Sequence, residues 1–155
     1  MNVFLITMTK HDVYKQVMRH LEEKLARLDA DITSLENDIA VDQKSTAGDK
    51  FETAREMAQQ EIDLLQQQVQ EVRRLHAIAN QFSEMDESHT IESGSIVSVA
   101  DLHLMVGLPV GPVTLNGIHY TGIGANTPVA QQMLGKSRGT VIELNDKTAE
   151  ITSVL

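Results

Sequence analysis

Cysteine and tryptophan are absent from the 155 residues, and three phenylalanines and two tyrosines are the only aromatics. Without cysteine there is no disulfide framework, no thiolate metal site and no thiol nucleophile, and nothing points to an oxidising compartment. Basic side chains are also scarce: 13 Lys and Arg against 22 Asp and Glu give a formal net charge of -9. A chain that gripped nucleic acid by neutralising phosphates would carry the opposite balance, so no independent DNA binding is expected. No run approaches the ~18 apolar residues of a membrane span. The apolar residues 1–8 lack the basic lead and small-residue cleavage site of a secretory signal, so a cytoplasmic protein with no membrane contact is expected.

Glycine and proline are missing from one half only. Between residues 9 and 82 there is one glycine, Gly48, and no proline; the other eight glycines and all three prolines follow Ser93. A chain of this length holds one ordinary domain, or a small domain plus an extended element with little core of its own.

What fills the first half is a heptad pattern. Leu21, Leu25, Leu28, Ile32, Leu35 and Ile39 recur at steps of four and three, and Ala58, Ile62, Leu65, Val69 and Val72 repeat those steps. Each stripe is narrow and flanked by charged and amide side chains. Such stripes also serve dimerisation between chains, but a short polar connection around residues 43–48 favours two arms of one chain burying each other as an antiparallel hairpin. Thr9, with Asp12 three residues on, is the expected N-cap of a first helix running to about Asp42, a rod of roughly 45 Å at ~1.5 Å per residue.

The second half reads as a small twisted sheet. Strands are expected at 95–99 and 102–108, with a hairpin at 113–115 and 118–120 around Asn116-Gly117, a strong type I′ turn signal. Thr127-Pro128 opens a short helix through Leu134, which Gly135 closes. Strands at 140–144 and 149–154 flank Asn145-Asp146. The expected fold class is therefore α+β in two parts: an antiparallel α-helical coiled-coil hairpin over 1–83, with an acidic tip near 42–52, and a small β-sheet domain with one short helix over 84–155.

At that tip Asp49 and Glu52 stand three residues apart at the start of a helix, on one face, close enough to share a divalent cation or a water. The same spacing is a capping-box-like helix start, in which acids also favour the macrodipole. Elsewhere, His89, His103 and His119 match no metal-ligand spacing and suit structural roles. Gly122-Ile123-Gly124 opens no helix, so it is expected to be a bend or bulge, not a phosphate-binding loop.

Thr127-Pro128-Val129-Ala130, Met133-Leu134-Gly135-Lys136, Gly139 and Val141-Ile142-Glu143-Leu144 together resemble the "SPIARALIGKxxGDVVEV" signature of the bacterial Gre transcription elongation factors, and Asn116-Gly117-Ile118 is similar to the "NGL" upstream of it. Independently, Gly48-Asp49-Lys50-Phe51-Glu52-Thr53-Ala54, with Ala58 and Glu61, resembles that family's "GDxxENAEYxAAxEQ" hairpin tip. The resemblance covers most of the chain. It implies a C-terminal domain that is FKBP-like, and RNA polymerase as the partner. The hairpin of such factors enters the polymerase secondary channel while the globular domain docks at its rim.

By that resemblance the chain is not an enzyme. It activates the polymerase's own cleavage of backtracked RNA, meeting the RNA 3′ end only within the complex. Asp49 would be the principal ligand of a weakly held Mg²⁺, Glu52 would position the attacking water, and the cofactor, Mg²⁺, would be shared with the polymerase and not held alone. Two departures suggest a second reading. The family's Asn-Ala-Glu-Tyr is Thr53-Ala54-Arg55-Glu56 here, and residues 104–116, with Gly107, Pro109, Gly111 and Pro112, lack the family's acidic turn. A Gre-like regulator or inhibitor without cleavage activity would fit them. A reading from another class, an FKBP-like chaperone or prolyl isomerase, needs an aromatic-lined pocket, and Tyr120 is the only aromatic after Phe82.

Overall fold

Thr9 opens the first helix as its spacing predicts. Its hydroxyl accepts the Asp12 backbone N–H at 3.1 Å, and the Asp12 carboxylate accepts the Thr9 N–H at 3.4 Å, which closes a reciprocal cap. The computed structural model describes residues 8–42 and 48–155, apart from the side chains of Asp42 and Asp49. The elements are α1 (Lys10–Asp42), α2 (Gly48–Ser83), β1 (Ile96–Val99), β2 (Leu102–Val106), β3 (Gly111–Leu115), β4 (Ile118–Ile123), α3 (Pro128–Met133), β5 (Val141–Leu144) and β6 (Lys147–Val154). The fold is α+β: two long helices packed on one another, then a mixed six-stranded sheet with one short helix.

Two units divide the chain, one of them Arg19–His76, the other Ala77–Leu155 joined by the start of α1 up to Met18. Within Arg19–His76 the heptad stripes face each other. Leu21, Leu28 and Ile32 of α1 and Ile62, Val69 and Val72 of α2 are buried, while Leu25, Leu35, Ile39, Ala58 and Leu65 are half-buried. His76 continues the seam of α2, and its Nε2 meets the Glu22 carboxylate of α1 at 3.0 Å.

In the other unit the strand order is β3-β4-β2-β1-β6-β5. All neighbours are antiparallel except β2 and β4. The turns form where the sequence places them. Asn116 and Gly117 have φ of +51° and +78°, and Asn145 and Asp146 have +49° and +65°, the left-handed pairs of two-residue hairpins. The second turn is so tight that β6 begins at Lys147, earlier than the β-branched run suggests. One sheet face carries Val97, Val99, Leu104, Val106 and Ile151 into a core with Ala130 and Met133 of α3, Ile91 and Ile142.

The bend or bulge expected at Gly122-Ile123-Gly124 does not form at Gly122, which lies in regular register opposite Gly111 and beside Met105. Its glycine answers a different need. Because β3 lies on the far side of β4 from β2, residues 107–110 must cross the end of β4. There Val110 N–H bonds the Leu108 carbonyl at 2.8 Å around Pro109, and a Cβ on Gly122 would collide with that carbonyl oxygen and with Val110 Cγ2.

The helical residues 10–18 and 77–83 pack with the sheet. Tyr14 is fully buried, donates its hydroxyl to the Gly94 carbonyl at 2.8 Å and meets Phe82 edge-on at 5.6 Å between ring centres. Lys10, only 2% exposed, donates to the Asp86 carbonyl at 3.2 Å. Burial pulls its ammonium below the ordinary lysine value, against the opposing pull of Glu92, Glu87 and Asp86. Burial pushes the Tyr14 phenol far above the ordinary tyrosine value.

Gly122→Ala is expected to destabilise the chain by roughly 1–3 kcal/mol in urea unfolding, the cost of overpacking; an unchanged midpoint would show that the crossing yields freely. Tyr14→Phe leaves the Gly94 carbonyl without its donor and should cost ~1–2 kcal/mol at neutral pH. The phenol's folded value is raised, so its contribution is complete below pH ~10 and declines as the unfolded chain ionises above it. Lys10 acts oppositely, favouring the fold as pH rises towards its ordinary value, but it is common to both proteins. Urea midpoints from pH 9 to 11.5 should therefore converge for wild type and Tyr14→Phe, and a constant gap would contradict the assignment.

Candidate functional site

The residues singled out by sequence fall at the start of α2. Gly48 has φ +38° with open space where a Cβ would stand, so the left-handed backbone, not crowding, calls for glycine there. Of the span 42–52, residues 43–47 and the side chains of Asp42 and Asp49 lie outside the described residues. The backbone of Asp49 falls in the first turn of α2, one residue inside the helix, and Glu52 follows three residues later with its side chain exposed.

Helical spacing extends this surface. Glu52, Arg55, Glu56 and Gln59 line one shallow groove along α2, and Lys50, Thr53, Ala54 and Met57 line the next. Arg55 stands between two carboxylates, yet among the described residues it makes no ion pair. Lys50 and Arg55 offset Glu52 and Glu56 in charge, so beyond Asp49 this turn carries no net negative field. Met57 is 66% exposed, an apolar contact point one turn beyond the acids.

The C-terminal signature folds into a connected structural motif. Thr127 Oγ1 accepts the Ala130 N–H at 3.3 Å and donates to the Gly124 carbonyl at 2.8 Å, and Pro128 follows at the first helical position. Ala130 and Met133 are buried in the core. Gly135, at φ +80°, donates to the Ile91 carbonyl, while Ile91 N–H returns to the Lys136 carbonyl, each at 2.8 Å. These residues thus serve capping, packing and chain reversal.

Two of the three histidines singled out by sequence have structural partners, while His89 is exposed. His103 Nδ1 lies 2.9 Å from Ser98 Oγ, with its ring tilted against Tyr120, and His119 Nδ1 lies 2.8 Å from Thr114 Oγ1. Among the described residues no three His, Asp or Glu side chains converge on a cation site. No described helix is long and apolar enough to cross a membrane. Sequence reasoning missed Gln131 and Gln132, whose side chains tie α3 to the Ala125 carbonyl and to Glu143; amides on a short helix carry no spacing signal for such a role.

No protein-family model matches this chain, and no curated protein matches it.

Proposed function

We propose that the chain is a Gre-like RNA polymerase secondary-channel factor that stimulates Mg²⁺-dependent cleavage of backtracked RNA. The observation that carries this reading is the placement of Asp49 and Glu52 in the opening turns of the second of two long, mutually packed helices, followed by an α+β domain built on the Thr127–Leu144 motif. Carboxylates in that position lie at one end of the helix pair and suit use inside another protein's active site. Glu52 belongs to no described group of three carboxylates or histidines, so a cation it helps to hold would be completed by aspartates elsewhere. The bound Mg²⁺ would polarise the phosphodiester and lower the pKa of the attacking water. This chain's part is to bring Asp49 to the cation and to let Glu52 orient that water. The acidic balance of the chain leaves contact with RNA to the polymerase.

In a stalled, backtracked elongation complex with Mg²⁺, the wild-type chain should shorten the RNA. Asp49→Ala and Glu52→Ala should each slow that cleavage on the order of 100-fold, the scale of removing one electrostatic or proton-transfer group. Variants that cleave like the parent would refute the site.

The exposed Arg55 in the same groove as Glu52 favours a second reading, a channel-binding regulator that lowers nucleotide addition and yields no short RNA. The double substitution Arg55→Glu with Glu56→Tyr restores the family's acid and aromatic. If the first reading holds, it should raise cleavage several-fold by removing a cation that competes for the carboxylates. A drop in cleavage, or slowed nucleotide addition by the wild type without cleavage, would favour the regulator. Absence of any binding to core polymerase would exclude both.

A further inference from the structure

β5 is an outer strand of the sheet, and its free side is already occupied by a side chain. Gln132 Nε2 donates to the Glu143 carbonyl at 3.0 Å, and Gln132 Oε1 accepts the Glu143 N–H at 2.8 Å. A residue of a neighbouring strand would bond Glu143 in the same way, through both of its backbone groups.

The register shows which groups face outward. The two-residue turn sets Leu144 opposite Lys147, so Leu144 and Ile142 exchange bonds with β6 while Glu143 and Val141 point away from it. The Ile151 N–H bond to the Thr140 carbonyl at 2.9 Å continues that alternation. The Val141 side chain is 61% exposed, and among the described residues no side chain bonds its backbone. The other edge of the sheet is blunted differently, by Pro112 on β3.

We infer that Gln132 is an edge guard, its carboxamide standing where a further strand would pair, and that the strand it excludes is β5 of a second copy of this chain. The outward residues 141 and 143 lie symmetrically about Ile142. An antiparallel β5–β5 pairing therefore puts Val141 of each copy opposite Glu143 of the other, and both pairs exchange two bonds. Gln132 withdraws one residue from each pair. A single amide per chain thus removes all four bonds of the two-fold ladder, whereas Val141 alone gives an incoming strand no second anchor.

Light scattering of the full chain at rising concentration tests this. Gln132→Met keeps the side-chain length but neither hydrogen-bonding group, and Gln132→Ala removes the reach. Both should self-associate at concentrations about tenfold lower than the wild type, the scale of a few regained hydrogen bonds. Adding Val141→Pro deletes an outward N–H and no inward bond, and should restore wild-type behaviour. Natively folded Gln132 variants with unchanged mass would overturn the inference, as would association that survives Val141→Pro. Should both variants fail to fold, amide exchange in the wild type decides: Glu143 should exchange about tenfold more slowly than Val141, and equal rates would overturn the guard.

Discussion

The bond from the Tyr14 hydroxyl to the Gly94 carbonyl joins groups 80 positions apart and sits at the join of helix and sheet. Around it, Phe82 meets the Tyr14 ring and lies close to where side chains on Gly94 and Gly107 would stand. A tyrosine there satisfies a buried carbonyl while burying a large apolar surface, which neither phenylalanine nor serine could do. His11 adds a bond to the Ser83 carbonyl, an orphan acceptor where α2 ends, and Lys10 one to the Asp86 carbonyl just beyond it. The start of one long helix thereby caps the end of the other, and both join the sheet.

This arrangement separates two kinds of residue that the family resemblance treats alike. Thr127, Ala130, Met133 and Gly135 answer to packing and chain geometry, so any chain with this β4–α3–β5 connection would favour them. Glu52, by contrast, is exposed and answers to no packing demand. Acids at the opening of a helix also suit capping and the macrodipole, so the proposed function rests on their combination with two long paired helices and the C-terminal motif.

The sequence was most legible where one local rule acted without competition. Thr9 with Asp12, Asn116-Gly117, and Thr127-Pro128 closed by Gly135 each encode a cap or turn in adjacent residues. The heptads showed which stripes are buried because the partner stripe lies in the same chain. Legibility failed where a residue answers to something distant. Gly122 looks like a flexible bend until the crossing of residues 107–110 is known. Lys10 looks like a solvated helix start, yet it is enclosed beside Asp86. Gln132 is an ordinary helix-surface amide until β5 comes alongside. Each depends on topology, which local patterning does not carry.

The division of the chain also bears on how its length could vary. The sheet unit is closed by residues on both sides of Arg19–His76, so in topological terms the paired arms are an insertion. Both arms repeat every seven residues, and a stripe stays in register only if equal numbers of heptads leave or join each arm. Arm length is accordingly quantised in matched steps of about 10 Å. A lineage could trim or extend its reach by whole steps while the sheet and its joining bonds stay as they are.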